Sequence, residues 1–277
     1  MAADKGQSIA AFYRMPETLI KSMERDMAYR DDPDLKFLGS MDSSDLNDLV
    51  YCLVYDKDGS SRLTEELSTT PEYKSHYPDH RRYWQQIAAE IQCFGGNTIA
   101  TMLRGGKGVL YREVLEDVCD KLKVNYNKGS RVDLIEQNLL GKILRDALEK
   151  MSAEEIKELG ESIGLKNTNL FTAEAMFGVF QTVFRAGGFK SYQLTAIVVN
   201  AVLKALIGRG LSFAATGTMM RTMAVITGPI GWVVTGAWTA VDIASPAFRV
   251  TIPTVIQIAA LRQKQAYGAA AEQVSFG

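Results

Sequence analysis

The chain has 277 residues, 47% of them hydrophobic and 23% charged, with a formal net charge of −1. That length can bury a real core and holds one large or two small domains. The near-zero charge supplies no basic field for nucleic acid, and three scattered cysteines, Cys52, Cys93 and Cys119, fit a reducing compartment better than a disulfide framework.

Residues 1–33 read as a mixed, mostly polar N-terminal extension with a short helix near Pro16–Ala28. The stretch MAADKGQSIAAFYRMPETL lacks the long apolar segment of a secretory signal, so a cytoplasmic start is expected. Residues 34–68 form a small helical module. Asp42 with Asp45 three residues on is a helix-start pattern, and Leu46, Leu49, Val50, Leu53 and Val54 follow at helical spacing. Asp56, Asp58 and Ser60 suggest a calcium loop, but Ser61 and Leu67 stand where glycine and glutamate are needed. A helix-ending turn is the commoner reading. The pattern around Met41–Leu49 returns around Met151–Leu159, either as one helix–turn unit used twice or as two starts obeying the same capping physics.

Residues 69–190 read as a run of helices behind a polar loop at 69–80 that carries Pro71 and Pro78. Trp84, Ile87, Ala88, Ile91 and Phe94 make one apolar face, ended by Gly95-Gly96. A helix with Ile99, Met102 and Leu103 stops at Arg104-Gly-Gly-Lys107-Gly. Another begins at Val109, with Leu110, Val114, Leu115, Val118 and Leu122 inward. That Gly-rich turn makes Arg104 and Lys107 anion-binding candidates. It lacks the glycine spacing and Lys-Ser/Thr of a P-loop, and no strand precedes it, so an inter-helix turn is the plainer reading. Val132–Lys150 and Ser152–Ile163 are amphipathic helices. Phe171, Phe177, Phe180 and Phe184 form a stripe that reads as core.

Residues 191–264 are the apolar region that organises the chain, followed by a tail at 265–277. Between Ala205 and Leu261 the charges are Arg209, Arg221, Asp242 and Arg249. The run between Arg221 and Asp242 has about the 20-residue length that crosses a bilayer core. Gly, Ala and Thr dominate it, and Pro229 interrupts it. Thr227, Gly231, Thr235 and Thr239 recur every four residues beside Gly228 and Gly236, a strip of small side chains suited to close helix packing. Asp242 needs a partner if buried, and Arg249 or Arg221 is the expected one; a helix cap at the water interface is the alternative. Pro253 suits the first turn of a last helix. Trp232 and Trp238 are too close together to mark opposite membrane interfaces.

No alternating strand pattern occurs, so the expected fold is all-α: a multi-helix domain with a Gly/Ala/Thr-rich apolar C-terminal helical hairpin. His76 and His80, the only histidines, flank Pro78 and make a poor helical metal pair. No catalytic, metal or cofactor residues are identified.

The stretches HRRYWQQIAAEIQCFGGNTIATMLRGGKGVLYREVLEDVCDKL and AFRVTIPTVIQIAALR resemble the bacterial YaaW-like proteins, a group linked to the ubiquinol–cytochrome c chaperone family. The resemblance covers residues 34–264, with the 34–68 module similar to the small domain often found at the front of such proteins. It implies a link to assembly of a respiratory membrane complex and brings no catalytic residues. Two readings stand. In the first, the protein is membrane-associated or membrane-active, a pore or toxin-like effector at the inner membrane, with lipid or a second copy as partner. In the alternative it is a soluble assembly chaperone or binding module for a membrane protein client, and the apolar tail is its core.

Overall fold

The computed structural model describes residues 29–62, 65–95, 108–162, 165–166, 171–211, 217–237 and 248–275. Ten α-helices are numbered here in chain order: α1 (Ser43–Val54), α2 (Pro71–His76), α3 (Trp84–Gly95), α4 (Tyr111–Lys121), α5 (Val132–Leu148), α6 (Ala153–Ser162), α7 (Ala173–Ala186), α8 (Gly188–Ile207), α9 (Gly217–Trp232) and α10 (Phe248–Ser275). Among the described residues the only strand-like pairing is one isolated bridge, Tyr55 with Ser61. The fold is all-α. The helix expected at Pro16–Ala28 and the one at 97–104 lie outside the described residues.

Local chemistry explains most boundaries. Ser152 Oγ accepts the N–H of Glu155 at 3.2 Å while Glu155 accepts the N–H of Ser152 at 2.8 Å, a reciprocal cap that starts α6. Thr172 caps α7 through the N–H of Ala175. Gly208, at φ 79°, closes α8 in the left-handed conformation that glycine adopts without strain. The loop expected at 69–80 instead contains α2. Thr70 accepts the N–H of Tyr73 at 3.2 Å and Pro71 sits at the first helical position, where its missing N–H costs nothing. The Asp56 side chain accepts the N–H groups of Asp58 and Ser60, a local turn that follows the end of α1 as the spacing implied.

The centre of the domain is α10. Every residue from Val250 to Leu261 is buried, with bulky aliphatic side chains on all sides of the helix, and its neighbours are α8, α1, α4, α5 and α3. A helix apolar all round belongs inside a core, and here the protein's own helices supply the enclosure. Pro253 is its sixth residue rather than part of its first turn, which leaves the Arg249 carbonyl without its usual intrahelical donor. The two most extensive helix interfaces join α8 to α9 and α8 to α10, so the apolar tail is organised around α8. One continuous hydrophobic core runs from Leu35 in the front module to Leu261 in α10.

The membrane-spanning expectation for this tail is not supported. No helix among the described residues is long and apolar enough to cross a membrane. Pro229 lies inside α9, and the helix gives way to a π-turn at Val233–Ala237.

Candidate binding surfaces and buried polar centres

Two apolar faces of α9 have different fates. Ile226, Pro229, Ile230, Val233 and Val234 are buried against the core. On the other side Gly228 and Gly236 are exposed, Thr227 and Gly231 are half-buried, and Trp232 is 75% exposed. No described atom lies within 4 Å of a Cβ built on Gly228, Gly231 or Gly236. The bulky residues of α9 thus make its core contact, and Gly228, Gly236 and Trp232 are exposed on the other side. The side chains of Thr235 and Arg221 fall outside the description, as do Thr239 and Asp242 entirely. Arg249 is exposed in the first turn of α10, where water solvates its charge. Arg104 and Lys107 lie outside the described residues. The last glycine of their turn, Gly108, has a packing reason of its own. A Cβ there would meet the Gln92 backbone at 2.3 Å, where the N–H of Val109 donates to the Gln92 carbonyl at 3.1 Å.

Buried polar groups join the front module to the helices behind it. Asp32, fully buried, accepts the N–H of Tyr111 at 2.7 Å and so terminates the free end of α4 from a distance of 79 residues in the chain. Gln92 bonds the backbone of Arg30 in both directions, at 3.0 and 2.9 Å. Glu136 accepts from the Tyr111 hydroxyl at 2.8 Å and from Arg262 at 2.9 and 3.2 Å. Burial raises the pKa of Glu136, and Arg262 and Tyr111 oppose that rise. The Arg262 guanidinium also lies over the Phe37 ring, 4.6 Å from its centre.

His80, expected on a loop surface, is buried. Its Nδ1 faces the Tyr83 hydroxyl and its Nε2 lies 2.7 Å from Asn47 Oδ1, so the neutral ring accepts from Tyr83 and donates to Asn47. Burial lowers its pKa to about 4. Glu90 is 2% exposed and accepts the N–H of Glu66 at 3.2 and 3.3 Å. Burial pushes its pKa up to about 8 against those hydrogen bonds, with Glu65 and Glu66 adding to the rise. Asn47 and Glu66 are distant in sequence from the groups they bond, so no local pattern announces those contacts.

None of this assembles a reaction centre among the described residues. Burial pushes the Cys93 and Cys119 thiols up to about 12, and raises Cys52 further, so all three stay protonated and weakly nucleophilic. No group of three or more His, Cys, Asp or Glu there is arranged to hold a metal. The crevice between α1, α8 and α10, lined by Tyr51, Cys52, Leu203 and Gln257, is too narrow to admit a water molecule.

Comparison with known proteins is consistent with that architecture. Residues 79–256 match the ubiquinol-cytochrome C chaperone family, and residues 29–63 match a small domain family of unknown function, DUF3944. A UPF0174 protein of Helicobacter pylori strain J99 is 52% identical over 238 residues, spanning 86% of this chain and 94% of the relative. A second from the same strain is 42% identical over 206 residues, 73% of this chain and 98% of the relative. The UPF0174 protein YaaW of Escherichia coli K12 is 34% identical over 241 residues, 85% of this chain and 95% of the relative. No solved structure matches.

Proposed function

The chain belongs to the ubiquinol-cytochrome C chaperone family, among its bacterial UPF0174 relatives, and from that premise we propose that it holds an apolar helical segment of a membrane-protein client during assembly. A respiratory subunit is the client class that the family description suggests. The observation that carries this reading is the open face of α9, where an exposed Trp232 stands beside exposed Gly228 and Gly236. Small residues let a second helix backbone come close, and an indole offers a large apolar anchor at little entropic cost. The opposite face of the same helix is fixed in the core, so the surface is rigid before the client arrives.

The experiment is site-specific photo-crosslinking in cells from position 232, with position 161 on the exposed face of α6 as the control. The expected adduct is a transmembrane respiratory subunit at 232 alone. Adducts with lipid only, or identical adducts from both positions, would remove the client reading.

A further inference from the structure

From Ala175 to Val241 the sequence contains no Asp or Glu, and it carries Arg185, Lys190, Lys204, Arg209 and Arg221. This is the basic part of a nearly neutral chain, and it supplies most of α7 and all of α8 and α9. Its cations are not used alike. Arg209 pairs with Asp48. Arg185, in the last turn of α7, and Lys190, in the first turn of α8, are exposed and make no ion pair among the described residues.

Between these two cations the chain turns through Gly187 and Gly188, both at positive φ (67° and 69°), a conformation that favours glycine. Phe189 follows and is 43% exposed. Its ring packs on Tyr267 of α10 with centres 5.2 Å apart. Tyr267 in turn stacks on Tyr192, one turn further along α8, at 6.0 Å and 4°. The row of rings is half-buried at Tyr192 and Tyr267 and opens to water at Phe189. The start of α8 has no side-chain cap and no acid in its first turn, so its free N–H groups add partial positive charge beside the two cations. Asp45 acts on Tyr192 but is nearly buried and is paired with Lys264.

Each feature alone is ordinary, since single exposed apolar residues are common on soluble proteins. Together they place an aromatic edge on a packed base, flanked by free cations, with no carboxylate on the same stretch of chain. A purely ionic partner would leave Phe189 idle. A bilayer surface uses both features, because its phosphates lie directly above an apolar layer.

We propose that the corner between α7 and α8, with Arg185, Phe189 and Lys190 backed by Tyr192 and Tyr267, is a peripheral docking point for the surface of an anionic phospholipid bilayer. The contact is made at headgroup depth and asks no helix to cross the membrane, in keeping with the helices described. It stands on the start of α8 and does not depend on the α9 face or on the client reading.

The test is flotation of the full chain at about 0.1 M salt on vesicles of phosphatidylcholine alone, and on vesicles containing about one-third phosphatidylglycerol. The parent should float with the anionic vesicles and not with the neutral ones. Lys190→Glu should weaken binding about tenfold, and Arg185→Glu/Lys190→Glu should abolish it. Lys204→Glu makes the same charge change about 20 Å further along α8, beyond a Debye length of about 10 Å, and should stay within about twofold of the parent. Phe189→Ala leaves the charge alone and should still weaken binding about threefold or more. All four side chains are exposed, so circular dichroism and thermal unfolding of the variants should match the parent. A parent that floats with neither vesicle, or equally with both, overturns the proposal. Equal binding by Lys190→Glu and Lys204→Glu overturns it too, as does binding unmoved by Phe189→Ala. Crosslinking from position 232 reads the client and flotation reads the lipid, so either result can fail without the other.

Discussion

Helices α9 and α10 come from the same charge-poor stretch, yet the fold treats them oppositely. In α10 the residues Val250, Ile252, Val255, Ile256, Ile258 and Leu261 point in every direction, and the whole segment is sealed. In α9 the bulky residues Ile226, Ile230, Val233 and Val234 share one side and glycines occupy the other. Average hydropathy does not account for this, since α9 is the more apolar of the two over its whole length. Side-chain bulk around the circumference does, because burial stabilises in proportion to the apolar area removed from water, and a glycine contributes almost none. A segment with membrane-like composition is therefore spent as core in one helix and left as a half-open surface in the next.

The comparison can be broken most forcefully at the end of α10. Arg262→Ala removes the cation beside buried Glu136 and should cost about 3–5 kcal/mol in chemical denaturation, because an uncompensated buried carboxylate is left behind. Adding Glu136→Gln should recover much of the loss. If Arg262→Ala unfolds like the parent, the buried pair is not what ties the end of α10 to α5.

Ile256→Ala tests the sealed helix itself. A fully buried isoleucine should cost about 2–5 kcal/mol, through lost burial and the cavity left behind. The front module should unfold in the same transition, since a single hydrophobic cluster spans both. Two separate transitions would show instead that the module folds alone.

Glu90 sharpens the comparison through pH. Its folded pKa of about 8 lies above the usual carboxylate value, so between those limits the unfolded chain has lost a proton that the folded chain keeps. Stability then falls as pH rises across that window and levels off above about pH 8, at no more than about 1.4 kcal/mol per pH unit. Glu90→Gln should flatten that slope and raise the melting temperature at neutral pH. An unchanged slope would mean that the carboxyl is already ionised in the fold.

The smallest expected effect lies on α9. Gly228→Ala should stabilise the protein by about 0.5–1 kcal/mol, since glycine in a helix costs roughly that much and no described atom meets the added Cβ. The same methyl should weaken client binding if a helix backbone comes close there. A gain in stability with no loss of binding would detach the glycines from the client surface.

Much of the helical plan was legible, because capping and periodicity are local. The bounds of α5 and α6 follow from Val132 onward and from the Ser152–Glu155 cap. The echo of that cap at Asp42–Asp45 shows where local reasoning stops. Asp42 makes no side-chain cap, and Asp45 is committed to Lys264, 219 residues away. The short helix α2 is hidden in the sequence because its flanking prolines read as loop, although Pro71 favours a helix start. His80 reads as a loop residue because Asn47 becomes its neighbour only in three dimensions, although Tyr83 stands three residues on in the same short helical turn. The small-residue strip of α9 was visible, but which of its faces the core would take was set by α8, which no local pattern names.

The most direct measurement compares the parent with Trp232→Ala for binding of an uncharged helical peptide of about 20 residues, presented in mild detergent, alongside thermal unfolding of both proteins. The exposed indole should matter to the peptide and not to the fold, so affinity should fall by about tenfold or more while the melting temperature stays put. Equal affinity for both proteins, or a loss of affinity matched by a loss of fold, would contradict the open face of α9 as the client surface.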